Sequence, residues 1–153
     1  MDHHDELADA FVTASRALVG LAVHSINSAP VELTVAQHRL LVLLAAHGAQ
    51  TVGEIAEELG INPSNASRHC DRLQRQGLVD RRRSTNDGRS VEVTLTSAGR
   101  DVVDAVTAQR RGEVLRVLAR MPQTDAELLV QALQGFTDAA DELTDSQWAA
   151  HHW

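Results

Sequence analysis

Asn62-Pro63-Ser64-Asn65-Ala66-Ser67-Arg68-His69-Cys70-Asp71-Arg72-Leu73 reads as a helix with its own start signal. Asn is a favoured N-cap, and Pro at the first helical position has no amide to leave unpaired. Ala66, Cys70 and Leu73 recur at i, i+4 and i+7 and form a buried stripe. The opposite face presents Ser64, Asn65, Ser67, Arg68 and Arg72, with no acid among them. Gly77 ends the helix. Just upstream, Thr51-Val52-Gly53-Glu54 has capping-box form and opens a shorter helix. Its Ile55, Ala56 and Leu59 share one face; Glu54, Glu57 and Glu58 share the other. Ala56 is small where the two helices must approach, and Gly60 permits the tight turn between them. The pair predicts a helix-turn-helix whose second helix shows a polar, arginine-bearing face.

Beyond Gly77 the apolar period changes from 3.6 to 2. Leu78-Val79-Asp80-Arg81-Arg82 and Val91-Glu92-Val93-Thr94-Leu95 predict two strands, and Ser84-Thr85-Asn86-Asp87-Gly88 between them is a dense turn cluster. The result is a β-hairpin with Arg81, Arg82 and Arg83 at its base and Arg89 after the turn. Arginine at such a tip suits a narrow minor groove, where negative potential is high. Asp87 would repel phosphate if it faced it, so it is expected to pair with a wing arginine and orient the tip. On the helix, Arg68 has the fork that matches guanine and Asn65 the amide that matches adenine. The exposed amides at the helix start, around Pro63 and Ser64, suit phosphate.

The flanks are helical. Leu7, Phe11, Ala14, Leu18, Leu21, Ala22 and Ile26 have helical spacing, and Asn27-Ser28-Ala29-Pro30 breaks it. Thr34-Val35-Ala36-Gln37 is a capping box ahead of Leu40-Leu41-Val42-Leu43-Leu44-Ala45, a helix apolar on nearly all sides and so central to a core. Thr96-Ser97 caps a long helix over 98–120, with Gly112 as a weak point or a site of close packing. Met121-Pro122 breaks it, and Thr124-Asp125-Ala126-Glu127 opens a last helix running on to Leu143.

The predicted fold is mainly α with a small β-hairpin wing. It is one domain over 1–153, with a winged helix-turn-helix over 34–96 and helical dimerisation segments over 5–28 and 97–147. A monomer has too few partners for the apolar faces of these flanking helices, and a two-fold assembly would bury them. Charge agrees with a nucleic-acid partner. The chain carries −7 overall, yet residues 62–100 hold eight arginines against four acids, a net of +4. That local basic footprint is hidden in the whole-chain value.

Over nearly its full length the chain resembles the MarR-type (multiple antibiotic resistance regulator) transcription factors. The likeness is carried by Leu33-Thr34-Val35-Ala36-Gln37 and Thr51-Val52-Gly53-Glu54-Ile55-Ala56, and by Asp71-Arg72-Leu73 with Gly77-Leu78-Val79. Asp87-Gly88-Arg89, leading into Val93-Thr94-Leu95-Thr96-Ser97-Ala98-Gly99, is its most specific element. The resemblance implies a homodimer on a pseudo-palindromic operator in double-stranded DNA. It implies repression relieved by a small, often aromatic or phenolic, ligand. It makes Ser64, Asn65, Ser67 and Arg68 readers on the recognition helix, Arg89 the wing-tip reader and Asp87 the wing brace. The wing is short, and Gly88 stands where the family often has a basic or bulky residue, which loosens the tip. Lysine is absent, so every charged phosphate contact is an arginine.

Other readings weigh less. Cys70 lies on the inward stripe and reads as a small core residue before a redox sensor. His3, His4, His151 and His152 read as solvated tails, and His24, His38, His47 and His69 lack zinc-site spacing, so no metal or cofactor is expected. His38 and Arg39 are candidates to line a ligand cavity, with surface or packing roles equally open. Trp148 and Trp153 cap the dimer interface or lie in a disordered tail. No Gly-x-Ser-x-Gly elbow, phosphate-cradling loop or HExxH helix supports an enzyme. A winged module that binds protein would show an apolar or acidic recognition face. No run of eighteen apolar residues predicts a membrane span, and a single Cys with an acidic start fits a cytoplasmic protein.

Overall fold

A computed structural model describes residues 2–86, 88–122 and 125–142. Helix α1 (His3–Asn27) leads through a loop to α2 (Val35–His47), and a two-residue strand β1 (Gln50–Thr51) follows. Next come α3 (Val52–Leu59), α4 (Pro63–Arg75), the strands β2 (Val79–Arg83) and β3 (Val91–Leu95), α5 (Ser97–Leu118) and α6 (Ala126–Ala139). The sheet order is β1-β3-β2, antiparallel throughout, with Val79 opposite Leu95, Arg81 opposite Val93 and Gln50 also opposite Val93. The sequence reading missed β1, because two residues are too few to show a period.

Local chemistry sets the helix starts. At α2 the capping box closes reciprocally: the Gln37 amide donates to Thr34 Oγ1 at 3.1 Å and the Thr34 amide donates to Gln37 Oε1 at 3.0 Å. At α3 only half the expected box forms. The Glu54 amide donates to Thr51 Oγ1, but the Glu54 carboxylate takes the Thr51 hydroxyl rather than its amide. Asn62 caps α4 and Thr96 caps α5, each accepting from the amide three residues on. Asp125 caps α6, its carboxylate accepting the Leu128 amide, and Thr124 lies outside the described residues. Gly60 and Gly77 sit at φ +66° and +75°, a region glycine enters without steric cost, and there the chain leaves α3 and α4.

Helix α2 is the hub. Leu40, Leu41, Leu44 and Ala45 are at most 1% exposed, and Ile55, Ala66, Cys70, Leu73, Val79, Val93, Val102, Val103 and Val106 close the core around it. The recognition unit is thus held on the same core as α5. A second junction fixes the angle between them: the Thr96 amide donates to the Leu78 carbonyl at 3.1 Å and the Thr96 hydroxyl to the Gly77 carbonyl at 2.7 Å. Gly99 is needed there, since a Cβ would fall 2.2 Å from the Leu78 oxygen. Gly112, by contrast, lies in an unbroken α5 with nothing within 4 Å of an added Cβ, so among the described residues it is neither a break nor a close contact.

The outer helices look different. Helix α6 has no buried residue. Its Phe136 stacks on Phe11 of α1 at 4.4 Å, while Leu7, Val12, Leu18 and Val19 of α1, Leu115 and Leu118 of α5 and Leu128, Val130 and Leu133 of α6 stay exposed. By length and composition α1 is apolar enough to cross a membrane, which a search for uninterrupted apolar runs overlooks. Its C-terminal turn is nevertheless anchored in the protein through buried Ser25 and Ile26. Leu143, Trp148, Trp153, His151 and His152 lie outside the described residues.

Candidate nucleic-acid interface

The start of α4 is organised by one side chain. Asn62 Oδ1 accepts the Asn65 amide at 2.8 Å and the Ser64 hydroxyl at 2.7 Å. Pro63, Ser64, Arg68 and Arg72 are exposed, and Asn65 and Ser67 are half-buried. Arg68 leans back so that its Nε approaches the Ser64 carbonyl at 3.5 Å. Ser64, Asn65, Arg68 and Arg72 therefore form one outward row, above the buried Ala66, Cys70 and Leu73. Arg72 lies 3.7 Å from the Glu32 carboxylate in the α1–α2 loop, and Gln76 Nε2 donates to the Glu32 carbonyl at 2.9 Å. The far end of α4 is thereby tied to the loop that leads into the core helix.

Strand alternation puts Arg82 on the face opposite Arg81 and Arg83, and Arg83 is exposed because it lies at the strand end, opposite exposed Val91. Arg82 and Arg83 are exposed, and Arg83 Nη1 donates to the Gly88 carbonyl at 3.3 Å, inside the wing. Arg81 points inward, on the same side as buried Val79, and its Nη2 donates to the Ser67 carbonyl at 3.2 Å and to Asp71 Oδ1 at 2.9 Å. Sequence reasoning groups Arg81 with Arg82 and Arg83 as DNA-binding candidates at the wing base; its i+2 relation to Val79 turns it inward instead. The wing turn is closed at its neck by the Ser84 amide on the Ser90 carbonyl at 2.8 Å, and Arg89 is exposed at the tip. Asp87, the expected brace, lies outside the described residues.

His38 and Arg39 do not come together. His38 is 5% exposed, within the core between α2 and α5, whereas Arg39 faces solvent. Burial, with help from the Arg110 charge, pushes the His38 pKa down to about 4, so this imidazole is neutral at pH 7. A groove of about 360 Å³ opens elsewhere, between α1 and α5, lined by Ser15, Leu18, Val19, Leu21, Ala22, Arg110 and Val114. Arg110 is its only charged side chain and is held by Ser25 Oγ at 3.1 Å. Nearby, buried Glu113 accepts from His24 Nδ1 and, at 3.0 Å, from Gln109. Those two bonds hold its carboxyl below the usual range. Sequence reasoning missed this cluster, because an acid at position 113 reads as part of a solvated face.

Cys70 is fully buried, and burial pushes its thiol pKa up against the opposing pull of Arg81. That is the environment of an inert core thiol. Among the described residues no three His, Cys, Asp or Glu side chains converge to hold a metal ion.

The comparisons with known proteins agree with this geometry. A model described as MarR family matches residues 32–90, which take in α2 to the wing tip. The chain is 34% identical over 100 residues to the HTH-type transcriptional repressor MdtR of Bacillus subtilis, covering 65% of this chain and 63% of that protein. It is 30% identical over 115 residues to an HTH-type transcriptional regulator of Mycobacterium bovis, Mb0904, covering 75% of this chain and 79% of that one. The chain spans less than two thirds of the length of MdtR and of the further Bacillus subtilis regulators it matches. The crystal structure of RV1404 from Mycobacterium tuberculosis superposes with a TM-score of 0.85 at 38% identity, over 95% of this chain and 99% of that one.

Proposed function

Because the chain belongs to the MarR family, we propose that it is a homodimeric, sequence-specific DNA-binding transcriptional repressor. Helix α4 enters the major groove and the wing tip, through Arg89, the adjacent minor groove. The observation that carries this reading is the outward row Ser64, Asn65, Arg68 and Arg72 on a helix whose buried side is fixed to the core. Short polar groups near the helix start reach base edges, and a guanidinium offers the fork that guanine accepts. Pro63 and Ser67 frame that row, and Arg82 and Arg83 are placed for phosphate. The exposed apolar faces of α1, α5 and α6 support a dimer: single scattered apolar residues need no explanation, but three helices with matching faces do. An obligate interface of this kind commonly buries more than about 2,000 Å² in total.

The dimer reading assigns the apolar surface of α1 to a partner helix rather than to a bilayer. The groove between α1 and α5, with Arg110 at its edge, is the place for a small aromatic or phenolic effector that relieves repression. It replaces the cavity expected at His38 and Arg39.

The test is equilibrium binding of the full chain to a duplex selected from random DNA and to a scrambled duplex, over a range of salt. A dimer neutralising six to ten phosphates loses roughly 10³–10⁵-fold in affinity between 50 and 200 mM salt. Arg68→Ala is expected to weaken the selected duplex by about 1–3 kcal/mol and relax one base pair per half-site. Salt-insensitive association would favour a protein-binding module. Equal loss by Arg68→Ala on both duplexes would reduce Arg68 to a phosphate contact.

A further inference from the structure

We propose that Arg81 is a positioning residue that locks the wing to the recognition helix and neutralises that helix's single carboxylate, without touching phosphate; the proposal rests on the DNA-binding reading above. The side chain of Arg81 is only 26% exposed and leaves β2 on the inward face, opposite fully buried Val93. One nitrogen, Nη2, serves two acceptors a single turn apart on α4, the Ser67 carbonyl and the Asp71 carboxylate. Ser67 is adjacent to Arg68, so the bond is made at the centre of the reading face.

Two physical consequences follow. The two hydrogens of Nη2 lie in the fixed guanidinium plane, so their two acceptors set the wing's distance from α4 and its tilt; a lysine ammonium reaching the same acceptors turns freely about its own bond. Through Arg81 the base of the wing inherits the orientation of α4, so β2 leaves for the tip at a set angle to Arg68. Second, Asp71 is the only acid in α4 and is half exposed. Unpaired, it would stand one residue from Arg72 and repel the backbone that Arg72 approaches. If Arg81 turned outward to a phosphate, it would free that carboxylate at the interface, so the two roles are mutually exclusive. Fully buried Cys70 lies on α4 between the two points that Arg81 holds, so its access to reagent reports on the lock.

The experiment compares wild type, Arg81→Met, Asp71→Asn, the double variant and Arg81→Lys in the salt-dependent binding assay, with Cys70 alkylation by iodoacetamide measured in the absence of DNA. Expected for Arg81→Met is a fall of roughly 5- to 30-fold in the ratio of selected to scrambled affinity, with an unchanged salt slope. Asp71→Asn gives a similar fall, the double variant little more than either alone, and Arg81→Lys a partial rescue. Cys70 alkylation speeds up about tenfold or more when the lock is removed. A salt slope reduced by about one per subunit, with equal loss on both duplexes, would make Arg81 a phosphate contact and overturn the proposal. Fully additive effects of Arg81→Met and Asp71→Asn, or an unchanged alkylation rate, would overturn it as well. Asp71→Asn keeps the test open should Arg81→Met fold poorly. Absence of salt-dependent binding by the wild type to any duplex would instead refute the DNA-binding reading, and the alkylation rates would still judge the lock.

Discussion

Gly99→Ala places one methyl group at the junction between the recognition unit and α5, and its cost can be worked from the contacts there. The added Cβ would lie 2.2 Å from the Leu78 carbonyl oxygen and 2.6 Å from Leu95 Cδ1. A relaxed carbon-to-oxygen approach is about 3.3 Å, so the helix start must retreat by roughly 1 Å. Leu78 cannot yield, being 2% exposed and flanked by buried Val79. The retreat stretches the bonds from Thr96 to the Leu78 and Gly77 carbonyls. Overpacking costs about 1–3 kcal/mol, and each weakened bond about 0.5–1.5 kcal/mol. The better helix propensity of alanine returns about 1 kcal/mol. The net expectation is a loss of about 1–5 kcal/mol, read by urea unfolding at fixed protein concentration. Gly112→Ala in the same helix is the control. Nothing among the described residues meets its Cβ, so a gain of about 0.5–1 kcal/mol is expected. A Gly99→Ala protein within about 0.5 kcal/mol of wild type would refute the close approach.

His38 predicts acid sensitivity. Its pKa is about 4 when folded against 6.5 when unfolded, so the unfolded chain binds the extra proton first as pH falls. The associated stability is complete above about pH 6.5 and is lost progressively down to pH 4, amounting to about 3 kcal/mol. His38→Leu should remove that part of the pH slope in urea unfolding, and an unaltered slope would clear His38 of the role. Glu113, held below its usual range, adds a contribution present above its ordinary pKa of 4.5 and lost below it; Glu113→Gln should flatten that acid limb. Thr34→Ala opens the α2 capping box and should cost about 1 kcal/mol, with no change in the urea m-value. Arg89→Ala should weaken binding most on duplexes with A·T-rich flanks, and a flank preference equal to wild type would remove the minor-groove role.

Sequence made the fold legible where a single local rule had a single outcome. Thr34, Asn62 and Thr96 each cap the helix expected of them, and Ala66, Cys70 and Leu73 are buried as their spacing requires. Legibility ended where tertiary partners decide. Thr51 serves a strand and a helix at once, so its capping box is incomplete. Arg81 resembles its neighbours in type; alternation with Val79 separates it from Arg82, and its place opposite buried Val93 rather than exposed Val91 separates it from Arg83. Neighbouring His38 and Arg39 were grouped by sequence, although about 100° of helix rotation sends one into the core and the other to solvent. Glu113 gains its partners from residues 89 and 4 positions away, and only the distant one, His24, belongs to another helix.

The claim that paired copies of α4 read DNA is tested most directly by selecting duplexes bound by the full-length protein from a random pool and sequencing them. The expected product is a two-fold symmetric motif with half-site centres one helical turn, about 34–36 Å, apart. A pool with no enriched sequence, or one with a lone asymmetric element, would contradict it.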